Sequence, residues 1–278
     1  MDWIGTGLSH RGLVRRSNED AFTVKNHVGV WAVADGMGGH AGGAVASQLA
    51  VDTITNYLEP RLSHQAPGGL LPADEESLLT ESIQVGQQAI LRMAECTLEL
   101  RGMGTTVVLL RIAPRPTPRL RLLHVGDSRA YLLREGSLCR LTADHSLMER
   151  YIREGKLSRE EAEIHPRRHV LTKALGTGQA KPDLTSLDLA LTDQILLCTD
   201  GLTTMLSDAH IAEIWRKHVD SSRAACQALV AEANARGGLD NITVIVVSRL
   251  TEGGSHEQEV EGLRRTSFHF IDKRDRAV

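Results

Sequence analysis

Aspartates recur in this chain where short apolar runs end. Asp35 and Asp200 each follow such a run and precede a glycine. Asp127 comes two residues after a third run, and Asp240 stands just before a fourth. If these runs are strands that meet at one end, the carboxylates share a small volume and repel one another unless cations neutralise them. Mg²⁺ and Mn²⁺ prefer such oxygen ligands, so the pattern predicts a divalent metal site.

Two further acidic residues, Glu19 and Asp20, lie just upstream of the first apolar run. Taken singly, an Asp-Gly pair such as Asp35-Gly36 indicates nothing more than a turn, because aspartate and glycine are the commonest turn residues. The repetition of the pattern at several runs favours convergence. Glycine after the aspartate also lets the backbone turn sharply and bring a carbonyl close to a cation.

The composition of the chain limits the classes of function that it can have. The chain has 278 residues, 41% hydrophobic and 24% charged, with a formal net charge of -3. This balance is typical of a soluble globular protein and argues against general affinity for nucleic acid or an anionic membrane. The four cysteines form no CxxC pair, and no apolar run approaches the roughly 20 residues that span a bilayer. We expect a cytoplasmic monomer with no nucleic-acid or membrane partner.

Periodicity predicts strands in consecutive groups with helices between the groups. The predicted strands are 28–34, 105–112, 120–125, 129–133, 138–141, 195–199 and 242–248, and the predicted helices are 44–58, 75–100, 208–218 and 222–235. A polar, helix-leaning stretch at 146–165 contains a capping-box pattern at Ser158 and Glu161. Grouped strands favour an α+β fold with antiparallel sheets. We expect one domain over 1–250 and a polar, flexible tail over 251–278.

Short motifs along most of the chain resemble those of the PP2C-type (PPM) phosphatases, bacterial branch. The motifs, in order, are Arg15-Arg16-Ser17-Asn18-Glu19-Asp20, Asp35-Gly36-Met37-Gly38-Gly39-His40, Gly104-Thr105-Thr106, Gly126-Asp127-Ser128-Arg129, Thr142-Ala143-Asp144-His145-Ser146, Leu171-Thr172-Lys173-Ala174-Leu175-Gly176, Thr199-Asp200-Gly201-Leu202 and Asp240-Asn241-Ile242-Thr243. Each motif is short, but this many in one order is specific.

The resemblance implies a four-layer α/β/β/α sandwich with two central antiparallel sheets. It implies a metal-dependent phosphatase that hydrolyses phosphoserine and phosphothreonine with two or three Mn²⁺ or Mg²⁺ ions. In such enzymes a water that bridges two cations loses a proton and attacks phosphorus. The implied partners are phosphoproteins and a cognate Ser/Thr kinase whose action the enzyme reverses.

The resemblance also implies a role for each acidic residue. Asp35 corresponds to the carboxylate that bridges two ions, and the Gly36 carbonyl to a ligand of the second ion. Asp200 and Asp240 correspond to ligands of the first ion, and Glu19 and Asp20 to residues that hold coordinated waters. Asp127, together with Asp200, corresponds to the site of a third ion. Arg15 corresponds to the arginine that grips the substrate phosphate, a task that suits a planar guanidinium.

One position departs from the pattern of some relatives. Family members with a histidine directly after the Asp-Gly pair have a candidate proton donor for the leaving group, but Met37 stands there in this chain. His40 is three residues further on, and the general acid stays open. The segment 146–172 corresponds to the flap beside the cleft, and its arginines suit either phosphoprotein recognition or a solvated surface. Those arginines are Arg150, Arg153, Arg159, Arg167 and Arg168.

Other enzyme classes fit less well. A cysteine-based phosphatase needs an arginine six residues after its nucleophilic cysteine. The residues at that spacing from the four cysteines of this chain are Gly102, His145, Thr204 and Glu232. The chain has no GxSxG motif, and the glycines at 36–43 lack the Gly-Lys-Ser/Thr ending of a P-loop. The rival of another kind is a catalytically weak PP2C-like module that binds or regulates. That reading predicts a broken metal set, whereas Asp35, Asp200 and Asp240 are all present.

Overall fold

The computed structural model describes residues 3–38, 42–63, 70–113, 118–178 and 180–250. The expected tail at 251–278 and His40 lie outside these residues. The strands are β1 (Trp3–His10), β2 (Asp20–Lys25), β3 (Val30–Met37), β4 (Gly104–Thr105), β5 (Val107–Ile112), β6 (Arg119–Val125), β7 (Arg129–Arg134), β8 (Ser137–Arg140), β9 (Asp183–Asp188), β10 (Gln194–Cys198) and β11 (Ile242–Arg249). The helices are α1 (Gly42–Ser63), α2 (Pro72–Cys96), α3 (Leu147–Arg153), α4 (Arg159–Glu163), α5 (Asp200–Met205), α6 (Asp208–Lys217) and α7 (Ser222–Ala235).

Two antiparallel sheets form the centre of the fold. One sheet has the strand order β1-β11-β10-β7-β8, and the other has β2-β3-β5-β6-β9, with the short β4 paired to β3. Between the sheets lies a layer of apolar side chains that includes Trp31, Val33, Leu110, Ile195 and Ile245. These side chains bury one face of each sheet, and the sheets pack as a sandwich.

Helices cover the two outer faces. Ile54 of α1 and Ile83 of α2 pack against Val30 of β3. On the other side, Trp215 of α6 and Leu229 of α7 join residues of β10 and β11. Because both faces of the central strands are buried, their sequences are continuous apolar runs. The four-layer α/β/β/α prediction is confirmed.

The sequence did not predict every element. β1 carries Gly5 and Gly7, and β9 is a polar edge strand with mostly exposed side chains. A Cβ on Gly5 would lie 2.2 Å from the Trp31 ring nitrogen, so the indole of the facing sheet takes the place of a side chain there. The short helix α5 and the strand β2 were also missed. The predicted strand at 28–34 is displaced, because a 3₁₀ turn occupies Asn26–Val28 and β3 continues through Asp35 to Met37.

The flap contains two short helices that pack on each other. Its helices α3 and α4 share a small apolar cluster of Leu147, Met148 and Ala162. The Ser158 hydroxyl accepts a hydrogen bond from the Glu161 N–H while the Glu161 carboxylate accepts one from the Ser158 N–H, so the predicted capping box is present. Within the described ranges, no helix is long and apolar enough to cross a bilayer.

Candidate metal centre

Strand pairing brings the first two aspartates together. β2 and β3 are antiparallel neighbours, and Asp20 stands opposite Asp35 in the register. Gly36 N–H donates to the Glu19 carbonyl at 3.1 Å, which continues the ladder one step further. The acidic pair at the start of β2 therefore lies beside the Asp-Gly pair near the end of β3.

The backbone at Asp35 is tied to the next strand. Its N–H donates to the Thr106 hydroxyl at 3.0 Å, and its carbonyl accepts from the Thr106 N–H at 2.9 Å and the Thr105 hydroxyl at 2.8 Å. These bonds satisfy both backbone groups of Asp35 without using its carboxylate. The side chain is left available to face the cleft.

Asp20 crosses from one sheet to the other. Its Oδ2 accepts hydrogen bonds from the hydroxyls of Thr199 at 2.8 Å and Thr243 at 2.7 Å. Its other oxygen, Oδ1, is buried and has no hydrogen-bond partner among the described residues. Asp20 is absent from the described residues that line the cleft, whereas Glu19 is present among them. Asp20 thus lies behind the carboxylates that line the cleft.

Asp200 and Asp240 lie at the ends of two neighbouring inner strands of the other sheet. Asp200 is the first residue of α5, two positions after the end of β10, and its Oδ1 is buried without a partner in the described structure. Asp240 and Asn241 precede β11. The Asn241 side chain accepts from the Glu19 N–H at 2.7 Å and donates to the carbonyls of Arg11 and Ser17 at 2.9 Å each. Asn241 thereby joins the loop before β2 to the loop before β11.

Asp127 reaches the same cleft through a tight turn between β6 and β7. The preceding Gly126 has a φ of 106°, a conformation that side chains disfavour. A Cβ on Gly126 would also lie 2.5 Å from the methyl group of Thr106. Glycine at this position allows the turn to pack on Thr106 and to present Asp127 to the cleft.

Electrostatics at this cluster favour bound cations. Burial, together with the charges of neighbouring carboxylates, raises the pKa of Asp127 to about 8 and holds the pKa of Asp35 well above its ordinary value. Burial raises the pKa of Asp20 to about 7 despite its two hydroxyl donors, and the pKa of Asp200 is also raised. Asp35 and Asp200 line the same cleft, and the charge of each neighbouring carboxylate contributes to the raised pKa of Asp35. These carboxylates can all be ionised at neutral pH only if positive charge compensates them.

Arg15 lies at the edge of the cluster. Its Nη2 is 2.6 Å from Asp240 Oδ2, and its side chain is 54% exposed. A half-exposed guanidinium at the mouth of an acidic site can turn toward an incoming anion at little cost in desolvation. The predicted phosphate-gripping residue is therefore beside the predicted carboxylates.

These side chains surround one cleft with a volume of about 880 Å³. The predicted site residues that line it are Arg15, Glu19, Asp35, Gly36, Asp127, Asp200 and Asp240. Sequence reasoning assigned no site role to His169 or to the motif residue Lys173, which join the lining from the flap and its C-terminal end. Their types suit anion binding, but their sequence positions gave no sign that the flap folds back over the acidic cluster.

Gly36 occupies a space that no other residue fits. A Cβ there would lie 2.1 Å from the Gly43 carbonyl oxygen and 2.5 Å from the Glu19 carbonyl oxygen. Gly43 is constrained in turn, because a Cβ on it would lie 2.0 Å from the Glu19 carboxylate. The start of α1 is thus packed directly against the strand ends that carry the acidic residues.

A second cluster of potential ligands comprises His124, His145 and Asp183. His145 Nδ1 accepts from the Gly126 N–H at 3.1 Å, which places the proton of the neutral ring on Nε2, 3.3 Å from Asp183. A protonated nitrogen cannot bind a metal. The Lys173 ammonium already lies 2.6 Å from the Asp183 carboxylate. This cluster is therefore an ion pair braced by an imidazole, and it is distinct from the carboxylate set of the cleft.

Comparison with known proteins decides the family. The family model described as protein phosphatase 2C matches residues 4–239. The chain belongs to this family. A serine/threonine phosphatase stp of Listeria monocytogenes serovar 1/2a is 39% identical over 250 residues, which cover 88% of this chain and 95% of the relative. The Mycobacterium tuberculosis serine/threonine protein phosphatase PstP is 39% identical over 238 residues, which cover 86% of this chain and 43% of PstP.

Solved structures agree with the sequence comparison. A crystal structure of M. tuberculosis PstP superposes with a TM-score of 0.78 at 35% identity, covering 90% of this chain and 99% of that one. The PstP catalytic domain in complex with two manganese ions superposes with a TM-score of 0.76 at 34% identity, with the same coverage. The chain is a metal-dependent serine/threonine protein phosphatase of the bacterial PP2C type, and its substrates are phosphoproteins.

Proposed function

We propose that this phosphatase reverses the action of a Ser/Thr protein kinase of the same cell, and that it does so with cations held by the carboxylates of the cleft. The convergence of Asp35, Asp127, Asp200 and Asp240 on one cleft carries the proposal. The four come from chain segments far apart in sequence, so the fold itself collects them.

The residues fit divalent cations. Asp20 Oδ1 and Asp200 Oδ1 are buried oxygens without a hydrogen-bond partner in the described structure. Buried polar atoms are normally satisfied, and an unpaired carboxylate oxygen inside a protein is costly unless an ion or water meets it. The donor set consists of carboxylate and carbonyl oxygens, which hard cations such as Mg²⁺ and Mn²⁺ prefer over softer ligands.

Each residue takes a role in this arrangement. Asp35, fixed by its backbone bonds to Thr105 and Thr106, would be shared by two cations, and the Gly36 carbonyl would serve the second one. Asp200 and Asp240 would hold the first. Glu19 and Asp20 would act through water, in keeping with the position of Asp20 behind the carboxylates that line the cleft. Asp127, which shares the cleft with Asp200, would serve a third ion.

Arg15 binds the substrate phosphate. A guanidinium donates two parallel hydrogen bonds to phosphate oxygens, and such charge-assisted pairs are roughly twice as strong as neutral ones. In this structure Arg15 pairs with Asp240. When Asp240 serves a cation, its charge is shared with that cation, and Arg15 is free to turn to the phosphate.

The bound cations supply an activated water as nucleophile and stabilise charge on the phosphoryl oxygens. The chain positions the other participants. Arg15 orients the phosphate, Asp35 fixes the geometry of the centre, and the flap with His169 closes one side of the cleft.

We extend the proposal to the rest of the molecule. Residues 1–250 form the phosphatase domain, and the sequence of 251–278 is polar in composition. The enzyme acts in the cytoplasm as a monomer. These points rest on composition and on the single fold over the described residues.

Turnover of a phosphothreonine peptide with Mn²⁺, with and without chelator, tests the activity. We expect hydrolysis that chelator abolishes and added Mn²⁺ restores. Absence of turnover in every condition would favour the rival, a PP2C-like binding module. For the cellular role, sites that gain phosphate on deletion of the phosphatase should lose it again when a Ser/Thr kinase of that cell is also deleted.

A further inference from the structure

Three large apolar side chains stand exposed next to the Arg15–Asp240 pair. Leu13 is 63% exposed, Val14 62% and Leu239 53%. Leu13 and Val14 directly precede Arg15, and Leu239 directly precedes Asp240. We call these three residues the rim patch. Folding does not account for them, because they leave most of their apolar surface in water.

The two loops that carry the rim patch are joined to each other. Leu13 N–H donates to the Gly238 carbonyl at 2.8 Å. The Asn241 side chain donates to the Arg11 carbonyl at 2.9 Å. Gly12, with a φ of 77°, lies so close to the Asp240 carbonyl that a Cβ would be 2.1 Å from it. The exposure of the patch is therefore built into a connected structure.

Glycines form the floor beneath the patch. A Cβ on Gly238 would lie 3.0 Å from Leu13 Cγ, so the Leu13 side chain rests on the bare backbone of Gly238. The Leu239 side chain passes near Gly237 and Met205, since a Cβ on Gly237 would lie 3.8 Å from Leu239 and 3.9 Å from the Met205 sulfur. Leu13 and Leu239 therefore lie over two consecutive glycines, close to the Arg15–Asp240 pair.

Single exposed apolar side chains are ordinary on protein surfaces. Leu98, at 66% exposure, and Leu191, at 57%, are examples in this chain. None of these exposed residues lines the cleft, but Leu98 and Leu191 are not adjacent in sequence to any site residue, whereas the rim patch adjoins Arg15 and Asp240. The rim patch differs because its members lie on two neighbouring loops and flank the arginine that meets the substrate. Position, rather than exposure alone, distinguishes it.

We propose that the rim patch docks an apolar side chain that flanks the phosphorylated serine or threonine of a substrate protein. The proposal rests on the phosphate-binding role of Arg15. Successive residues of an extended chain advance by only about 3.3–3.6 Å, so a bound peptide that runs from Arg15 toward Leu13 places its flanking residues over the rim patch. An apolar side chain one or two positions from the phosphoresidue thus reaches the surface that Leu13 and Leu239 provide. Its burial there removes apolar area of both partners from water.

Competition between two phosphopeptides in one reaction tests the proposal. The peptides share a sequence except that leucine in one replaces serine in the other, at one or two positions from the phosphothreonine on either side. The ratio of their rates equals the ratio of kcat/KM and does not depend on how much enzyme is active. We expect the unsubstituted enzyme to favour the leucine peptide by about threefold to tenfold. The double variant Leu13→Gln/Leu239→Gln should bring the ratio close to one.

The matched control is Leu98→Gln/Leu191→Gln, which removes two equally exposed leucines away from the cleft and should keep the preference. Equal rates for all peptide pairs with the unsubstituted enzyme would overturn the proposal, as would a preference that survives in the rim variant.

Sedimentation of the unsubstituted enzyme and the rim variant supplies another check. A dimer that the rim variant dissociates would assign the patch to contact between copies and overturn the docking role. If neither peptide nor p-nitrophenyl phosphate is hydrolysed with Mn²⁺, the proposed function itself fails.

Discussion

Arg15 and Asp240 form an ion pair across the mouth of the acidic cleft, with 2.6 Å between Nη2 and Oδ2. The pair joins the loop before β2 to the loop before β11, whose residues are more than two hundred positions apart in sequence. One member is proposed to bind the substrate phosphate and the other a cation. Both partners are partly exposed, so the pair itself adds little to stability, and its significance is functional.

Replacement of Arg15 should impair substrate binding. We expect Arg15→Ala to lower kcat/KM for a phosphopeptide by about tenfold to a hundredfold, the range for losing hydrogen bonds to a charged group. Arg15→Lys should restore only part of it, since an ammonium lacks the planar pair of donors. Steady-state kinetics measure both effects. The control is Arg16→Ala, an exposed neighbour whose carbonyl, but not its side chain, takes part in a described hydrogen bond. Equal losses in the two alanine variants would contradict the role of Arg15.

Gly36→Ala should disrupt the centre by steric conflict. The new Cβ would meet the carbonyl oxygens of Gly43 and Glu19, both backbone atoms that cannot rotate away. We expect a loss of about 1–3 kcal/mol in the free energy of unfolding, the usual cost of overpacking, together with most of the activity. Denaturant unfolding and kinetics provide the measurements. Gly178→Ala is the control in the same cleft, because a Cβ there meets nothing within 4 Å.

The raised pKa values predict how pH affects the metal-free protein. Between the ordinary aspartate pKa of 3.8 and the values of about 7 for Asp20 and about 8 for Asp127, the folded protein keeps protons that the unfolded chain has released. These groups therefore favour the folded state at low pH, and that contribution is lost as pH rises through this window. We expect the chelated protein to melt at a lower temperature at pH 8 than at pH 6.

Two comparisons isolate the cause of that pH effect. Saturating Mn²⁺ should reduce the difference, because cations replace the lost protons. Asp127→Asn should reduce it in the chelated protein, because an amide does not ionise, while Asp52→Asn on the exposed side of α1 should leave it unchanged. A chelated protein that became more stable from pH 6 to pH 8 would contradict the raised pKa values of Asp20 and Asp127 in the folded state.

The most apolar strands were sufficient to predict an α+β fold with antiparallel sheets, and the four-layer arrangement followed from the family resemblance. Val30 to Ala34 and Val244 to Val247 are buried on both sides, so the sequence has a continuous apolar run at each place. β1 and β9 lack that signal for different reasons. Gly5 in β1 makes room for Trp31 of the facing sheet, and β9 is a polar strand at a sheet edge. Such positions are determined by tertiary contacts that no local window contains.

The sequence also predicted that the acidic residues converge. Aspartates at the ends of apolar runs indicated it, because the ends of neighbouring strands lie together, and Asp35, Asp127, Asp200 and Asp240 do line one cleft. The hydroxyls of Thr199 and Thr243 that hold Asp20 could not be foreseen, because they come from another sheet. The approach of His169 to the cleft likewise depends on how the flap folds back, which no spacing in the sequence reveals.

Calorimetric titration of the chelator-treated, dialysed protein with Mn²⁺ is the most direct test of the central claim that the gathered carboxylates hold cations. Asp35→Asn, which removes the charge that we propose two cations share, is compared with Asp188→Asn, an exposed position on β9. We predict at least two bound ions for the unsubstituted protein and for Asp188→Asn, with both lost or greatly weakened in Asp35→Asn. Unchanged Mn²⁺ binding in Asp35→Asn, or no binding by the unsubstituted protein, would contradict the account.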